Sequence, residues 1–328
     1  MKIPEKTDFI KDAVNTYHYE KNENPRPHLG CSLIGHHCER FLWLSFRWAV
    51  LPNFDGRMKR LFRRGFNEED TVILDLKNIG CIVDRSQNKV ELSNHIGGSV
   101  DGIIKSGVIG AEKTEHILEI KTHSLKSFED LIKNKVEKSK PQHYAQMQLY
   151  MMGMKINRAL YYSVCKNDDR IYTERIKLDE VFAIKLLKKA ERIVNSEEIP
   201  PLTYSKTWYQ CKFCDAYKFC HETNKTKQVN CRTCCHSTPS KNNTWICEKF
   251  DNAEIPIENS FNGCESHIIR PDLVPWPLID AKSTENLACY EIAGKEFFNG
   301  EGHYESSYLL AEYETQKILD VFDGEFDF

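Results

Sequence analysis

The sequence predicts an α/β protein with a small cysteine-rich appendage. Two observations carry this. Helix-like stretches alternate with β-branched, strand-like runs through the first two thirds of the 328 residues. Eight of the 13 cysteines then crowd between Cys211 and Cys264, where no regular periodicity survives. The composition, 41% hydrophobic and 28% charged, is that of an ordinary globular chain.

The elements follow in order. "GCSLIGHHCERFLWLSFRWAV" (30–50) reads as one helix with aromatic and apolar faces, and 57–79 as a second. Strands are expected at about 81–84, 89–92, 98–104 and 116–122. A lysine-rich stretch leads to a helix at about 141–154. "RALYYSVCKN" and "RIYTERIKL" alternate like the arms of a hairpin turning at "NDD". A helix from about Asp179 to Ser196 stops before Pro200-Pro201. The cysteine-rich region runs from about 205 to 270, and the tail from about Pro271 has short strand-like pieces. No run of about 18 apolar residues predicts a membrane span, and the first 25 residues show no apolar core of a secretory signal. The expected compartment is the cytoplasm of a bacterial or phage-infected cell.

The net charge of -3 does not suggest nucleic acid, but the charge is uneven. Residues 299–328 hold eight acids and one base, which leaves 44 bases and 40 acids in 1–298. "RMKRLFRR" (57–64) and the lysines of 121–140, Lys135 among them, form basic patches fit to follow a phosphate backbone. A solvated helix face is the plain alternative. The acidic end either masks a basic groove or aids solubility.

Residues 97–124 place acids and a lysine among isoleucines. Runs 98–104 and 116–122 can pair as antiparallel strands. Glu119 and Lys121 then share one face, Leu118 and Ile120 the other, and Asp101 can come opposite. Carboxylates packed that closely repel, and each is costly to desolvate. A divalent cation such as Mg²⁺ relieves both, and a lysine beside it can hold or help deprotonate a water. A surface hairpin with ordinary charges is the alternative. On the second helix Phe62, Phe66, Ile73 and Leu76 fall on one face at about 100° per residue, with Glu69 in its middle and Glu68 near its edge. An acid there needs a partner, either the same cation or an arginine. "PQHYAQMQLYMMGM" puts Gln142, Gln146 and Tyr150 along one side of a helix, where amides and a phenol can bind phosphate or water without adding charge.

Gly65-x3-Glu69, "SVDG" around Asp101, "LEIKT" with Glu119 and Lys121, and "HYAQMQLYM" with Gln146-x3-Tyr150 stand in an order that resembles the PD-(D/E)XK nuclease superfamily. The likeness is greatest to the branch of bacteriophage lambda exonuclease, RecB-type nuclease domains and the CRISPR-adaptation nucleases, and covers roughly 30–225. Val100 stands where the motif has a proline, and Glu69 where many RecB-like members have histidine. The resemblance implies a restriction-endonuclease-like core, a mixed sheet flanked by helices, that hydrolyses phosphodiesters with Mg²⁺ or Mn²⁺. It implies that Glu69, Asp101 and Glu119 hold the metal, that Lys121 positions the attacking water, and that Gln146 and Tyr150 order the water or the phosphate. Arg40, Lys135 and Gln142 are the candidate DNA contacts, with Arg47 beside Arg40 on the first helix.

The cysteines form two sets. Cys211-x2-Cys214-x5-Cys220 lacks a fourth ligand, for which Cys38 is the natural choice and Cys31 a competitor. One cysteine before the core and C-x2-C-x5-C after it resembles the [4Fe-4S] pattern of the CRISPR-adaptation and AddB-type nucleases. Such a cluster would staple a loop of about 170 residues; zinc on the same four ligands is the alternative. The second set, Cys231-x2-Cys234, Cys247 and Cys264, is spaced like a zinc ribbon with its second pair split, so His236, His267 or Cys235 could substitute. Cys81, Cys165 and Cys289 read as core thiols.

The expected organisation is a nuclease domain over 1–225 closed by an iron–sulfur cluster, a Zn²⁺-binding ribbon-like module over 226–270, and an acidic-tailed extension over 271–328. The expected function is a metal-dependent DNA exonuclease in phage or bacterial recombination or DNA processing, with a recombination or processing protein as a partner and no membrane. A non-catalytic nucleic-acid-binding adaptor that keeps the nuclease fold, or a site-specific endonuclease, is the rival reading.

Overall fold

The computed structural model describes residues 8–21, 24–86, 88–282 and 285–311. The acids from Glu312 onward, most of the predicted acidic tail, lie outside the described residues. In chain order the first elements are α1 (Phe9–Glu20), β1 (Leu29–Gly30), α2 (Cys31–Ile34), α3 (Glu39–Phe46) and α4 (Gly56–Asn78). Then come β2 (Ile82–Asp84), β3 (Lys89–Ser93), β4 (Ile96–Ser99), β5 (Gly102–Ser106) and β6 (His116–His123). Helices α5 (Leu125–Ser139) and α6 (Pro141–Met154) lead to β7 (Arg158–Cys165), β8 (Ile171–Lys177) and α7 (Glu180–Val194). The remaining elements are β9 (Ser237–Pro239), β10 (Trp245–Cys247), β11 (Ala253–Ile255), β12 (Leu278–Lys282), β13 (Leu287–Ile292), β14 (Lys295–Gly300) and α8 (Ser306–Leu310). No described helix is long and apolar enough to cross a membrane.

The chain divides into two compact units. One comprises 1–37 and 52–191, the other 38–51 and 192–328. The fold is mixed α/β. The first unit carries a five-stranded sheet of order β2-β5-β6-β7-β8. Its β6–β7 pair is parallel and its other pairs antiparallel. A parallel pair needs a long crossover, and α5 and α6 supply it. A smaller sheet, β1-β4-β3, lies in the same unit.

Alternation along β6 sorts its side chains. Leu118 and Ile120 join a buried cluster with Val72, Ile73 and Leu76 of α4 and with Ile104, Leu160, Tyr162 and Val164. Glu119 and Lys121 face the other way. The helix α6 spans the residues that its periodicity predicts and is buried along Ala145–Met151.

Two expected elements are broken. The run 98–104 divides at Val100-Asp101: β4 pairs in the small sheet and β5 in the large one, so Asp101 stands where the chain passes between sheets. The single helix expected over 30–50 is β1, the one-turn α2 and a separate α3. Gly35 ends α2 at a close approach to α6, where a Cβ would come 2.8 Å from Ala145 Cβ and 3.0 Å from Gln142 Cα. Lys189 of α7 donates to the carbonyls of Ile34 (2.9 Å) and His36 (2.5 Å), capping the terminated helix. The two halves of the predicted helix belong to different units.

The second unit is built on α3, whose Leu42, Trp43, Leu44 and Phe46 are buried. It contains two three-stranded antiparallel sheets, β11-β10-β9 and β12-β13-β14. Trp43 Nε1 donates to Ser196 O (3.0 Å) and Thr226 Oγ1 to Ala49 O (2.6 Å), tying α3 and the chain after it to segments far along the sequence.

Candidate active site

Strand register builds the carboxylate site. Gly102 pairs with Leu118 and Ile103 with Ile117, so Asp101, one residue before β5, lies opposite Glu119. Its Oδ2 accepts a hydrogen bond from Ile120 N at 2.7 Å. Lys121 Nζ is in ion-pair contact with Glu119 Oε1, lies 4.0 Å from Asp101 Oδ2, and donates to Ile120 O at 3.1 Å. Glu119 is fully buried, and neither of its oxygens has a hydrogen bond of proper geometry among the described residues. The lysine offers charge but leaves the acceptor capacity of that carboxylate unmet.

Glu69 on α4 shares the same field. Burial, and then the Asp101 charge, push its carboxyl up to about 7. Burial likewise pushes Glu119 up to about 7, with Asp101 and Glu69 adding to the rise and Lys121 opposing it. Burial works against the Lys121 ammonium, yet Glu119, Asp101 and Glu69 together hold its pKa above the ordinary lysine value. The three acids therefore sense one another. The predicted arginine alternative is also present: Arg85 Nη2 lies 3.9 Å from Glu69 Oε2, but its close contact, at 2.6 Å, is with Asp70. The apolar stripe around Glu69 is only half as predicted. Val72, Ile73 and Leu76 are buried, whereas Phe62 and Phe66 are 39% and 63% exposed, because the sheet lies under the C-terminal part of α4.

Helix α6 adds neutral groups. Gln146 Nε2 donates to Tyr150 Oη at 3.1 Å, and both side chains are buried. The Tyr150 hydroxyl fits against Gly98, where a Cβ would lie 2.8 Å from it. Burial, and then the Glu119 charge, raise the pKa of this phenol, so it stays protonated. Gln142, half-buried a turn earlier, lies at the α2–α6 approach. Lys135 is exposed and sits at a break in α5 with φ 61°.

The candidate phosphate ligands on the first predicted helix are placed differently. Arg40 belongs to the second unit, where it donates to Pro200 O (2.9 Å) and Asn224 Oδ1 (3.4 Å). Arg47 is 2% exposed, its guanidinium over the rings of Trp43 and Trp245, and so is withdrawn from any phosphate. The basic run of α4 fares better. Arg57, Arg60, Arg63, Arg64 and Asn67 line an open depression of about 410 Å³.

Sequence reading missed a buried network beneath the site. His123 Nε2 and His143 Nδ1 each lie 2.9 Å from Tyr161 Oη, and Ser127 Oγ lies 3.3 Å from His123 Nδ1. Tyr161 pairs in register with Glu119. Burial pushes His123 down to about 4, and His143 also falls well below its ordinary value, with Lys121 and Lys140 adding to both. Both rings are neutral at pH 7. The signal was legible: 119, 121 and 123 alternate onto one face of β6.

The thiols gather in the second unit as two sets. Burial raises the pKa of the Cys211, Cys214 and Cys220 thiols, and each lies near enough to Cys38 for a thiolate there to raise it further. Cys38 caps α3, its sulfur accepting from Phe41 N at 3.5 Å. Cys31, the competitor, belongs to the first unit and is fully buried. Cys231, Cys234, Cys247 and Cys264 line one small cavity with His236 and His267. Burial, and then Cys264 and Cys247, push Cys231 up to about 11. Among the described residues, no three or more His, Cys, Asp or Glu side chains, the carboxylates of the first unit included, are gathered into a group that could hold a metal ion.

No protein-family model matches the chain. No curated protein matches it either. Among solved structures it is similar to the alkaline exonuclease LHK-Exo of Laribacter hongkongensis in complex with dAMP, at 15% identity over 56% of this chain and 90% of that one, TM-score 0.38. It is similar to a phage-related exonuclease from Haemophilus somnus at 17% identity over 51% and 91%, TM-score 0.35. It is also similar to SSO0001 at 15% identity over 65% and 96%, TM-score 0.41. The chemistry of the site rests on its own residues.

Proposed function

We propose that this chain is a deoxyribonuclease that hydrolyses phosphodiester bonds with Mg²⁺ or Mn²⁺ held by Glu69, Asp101 and Glu119. The observation that supports it most is Glu119, a fully buried carboxylate that shares its field with two further acids and has Lys121 against one oxygen, so that most of its acceptor capacity stays unmet. Burying such a group without use is costly. Hard oxygen donors suit a hard divalent cation, which when bound supplies charge neutralisation and an acidified water.

The chain's own groups have separate tasks. Lys121 Nζ, anchored on Ile120 O, can donate to a water or to a phosphate oxygen. The Gln146 amide, held by Tyr150, can orient the same water or phosphate without adding charge. The guanidiniums of Arg57, Arg60, Arg63 and Arg64 suit a phosphate backbone. Exonucleolytic processing of DNA ends in phage or bacterial recombination is the form of the activity that the motif order favours, with a protein of that process as the partner.

Cys38, Cys211, Cys214 and Cys220 would hold a [4Fe-4S] cluster that staples α3 to the segment after Pro201. Amide and guanidinium donors to Cys38 and Cys220 fit such sulfurs.

The test compares wild type with Asp101→Ala and Lys121→Ala on linear, circular and single-stranded DNA with Mg²⁺ or Mn²⁺. A loss of about 10²–10⁴-fold is expected from Lys121→Ala, the range for a positioned proton-handling group, and one at least as large from Asp101→Ala, which removes a metal ligand. Cleavage by both at the wild-type rate overturns the proposal. Iron content and visible absorbance of protein purified without air test the cluster.

A further inference from the structure

We propose that Cys231, Cys234, Cys247 and Cys264 bind one zinc ion as a tetrathiolate site that closes the small sheet β9–β10–β11. The four thiols line a single cavity of about 20 Å³. A space of roughly 10–15 Å³ admits one water, so this one suits a single ion. All four cysteines are free thiols. Soft thiolates select zinc over the hard cations that the carboxylates suit.

The local fold explains the irregular spacing. Cys231 and Cys234 flank a 3₁₀ turn fixed by Asn230, whose side chain accepts from Arg232 N at 3.0 Å and whose backbone N–H is capped by Thr233 Oγ1 at 3.1 Å. Strand β10 sets Cys247 opposite Ser237, three residues past Cys234. The chain then returns: Gly263 N donates to Val229 O at 3.1 Å, which sets Cys264 beside the turn. A Cβ at Gly263 would lie 2.6 Å from Val229 Cγ1, so this approach needs glycine. Sixteen intervening residues thus form a strand pair and a return, and the split second pair closes in space.

The rival ligands separate on their contacts. Cys235 does not line the cavity, and its Sγ donates to Ile269 O at 3.4 Å. Both ring nitrogens of His267 are engaged, Nδ1 with Ser306 Oγ (2.8 Å) and Nε2 with Asn230 O (3.1 Å) and Thr233 Oγ1 (3.3 Å). His236 lines the cavity, and its buried Nε2 has no hydrogen-bond partner among the described residues. As a neutral ring it can donate to a thiolate bound to the ion. In this arrangement the four thiols are not gathered closely enough to hold an ion; what they share is the wall of one small space, which a bound ion would draw closed.

Metal analysis of the full chain purified without air or added metal tests this. Wild type should carry about one zinc per chain. Cys247→Ser and Cys264→Ser should lose most of it while their iron content stays that of wild type, and Cys235→Ser should keep both metals. Cobalt loading of wild type gives a readout independent of the variants' folding: a thiolate-to-cobalt charge-transfer band, abolished by prior zinc. The proposal is overturned if wild type carries neither zinc nor the cobalt band. It is equally overturned if Cys247→Ser and Cys264→Ser retain zinc, or if they lose iron instead.

Discussion

Each unit buries a charged group in an apolar setting, and the two settings differ in what surrounds the charge. In the first unit Glu119 is fully buried with Lys121 against one of its oxygens and two further acids nearby. In the second, Arg232 is 1% exposed among Phe46, Trp48 and Trp245, its Cζ 3.6 Å from the Trp48 centroid and its Nη1 donating to Phe46 O at 2.9 Å. Burial lowers this guanidinium to about 9, so it remains charged at pH 7. The arginine is compensated by ring faces and a carbonyl. The glutamate keeps unmet acceptors. An arginine set among ring faces serves packing, and a carboxylate gathered with two other acids suits a cation.

The largest effect should come from breaking the compensated site. Arg232→Ala removes a large side chain from among three aromatic rings and should cost about 3–5 kcal/mol in denaturant unfolding. Arg232→Met keeps the volume and should cost less than half of that. If the two variants melt together, the arginine's charge rather than its packing holds the cluster, and the contrast between the units fails.

A smaller effect sharpens the other side. Glu69 and Glu119 have folded pKa values of about 7 against an ordinary 4.5. Folding therefore takes up protons between those values. In metal-free protein their contribution is complete below about pH 4.5 and is lost as pH rises through about 7. Melting temperature should therefore fall as the pH rises from 5 to 8. The slope should flatten in Glu69→Gln/Glu119→Gln, and in wild type with saturating Mg²⁺. A slope that survives the double variant places the titration elsewhere.

The smallest effect belongs to Tyr150→Phe. It deletes the acceptor of the Gln146 amide and should cost about 1 kcal/mol, roughly fivefold in cleavage rate, by loosening that amide. Unchanged cleavage would make Tyr150 a core residue only.

Much of this could be read from local pattern. Helix α6 and strands β6, β7 and β8 fall where local sequence places them, although α6 and β7 are buried on nearly every side rather than on one face. The alternation of Glu119 and Lys121 against Leu118 and Ile120 belongs to the same class. The misread regions are those where distant packing overrules pattern. The helix expected over 30–50 is cut at Gly35, where α6 allows no Cβ. Arg47, expected to meet a phosphate or an acid, is instead buried between Trp43 one turn earlier and Trp245 from far along the chain. Phe62 and Phe66 continue an apolar stripe past the end of the surface that would bury it.

The chain of residues fixes which chemical groups this protein has to work with: three acids and a lysine, two amides and a phenol along one helix, and two sets of thiols. Only the tertiary structure decided which of them meet. The pairing of β5 with β6 puts Asp101 opposite Glu119, and a return of the chain at Gly263 brings Cys264 to the cavity of Cys231. The reason is one of range. Periodicity is set by residues a few positions apart, whereas burial and convergence depend on strand register and close approach between segments that no local pattern connects.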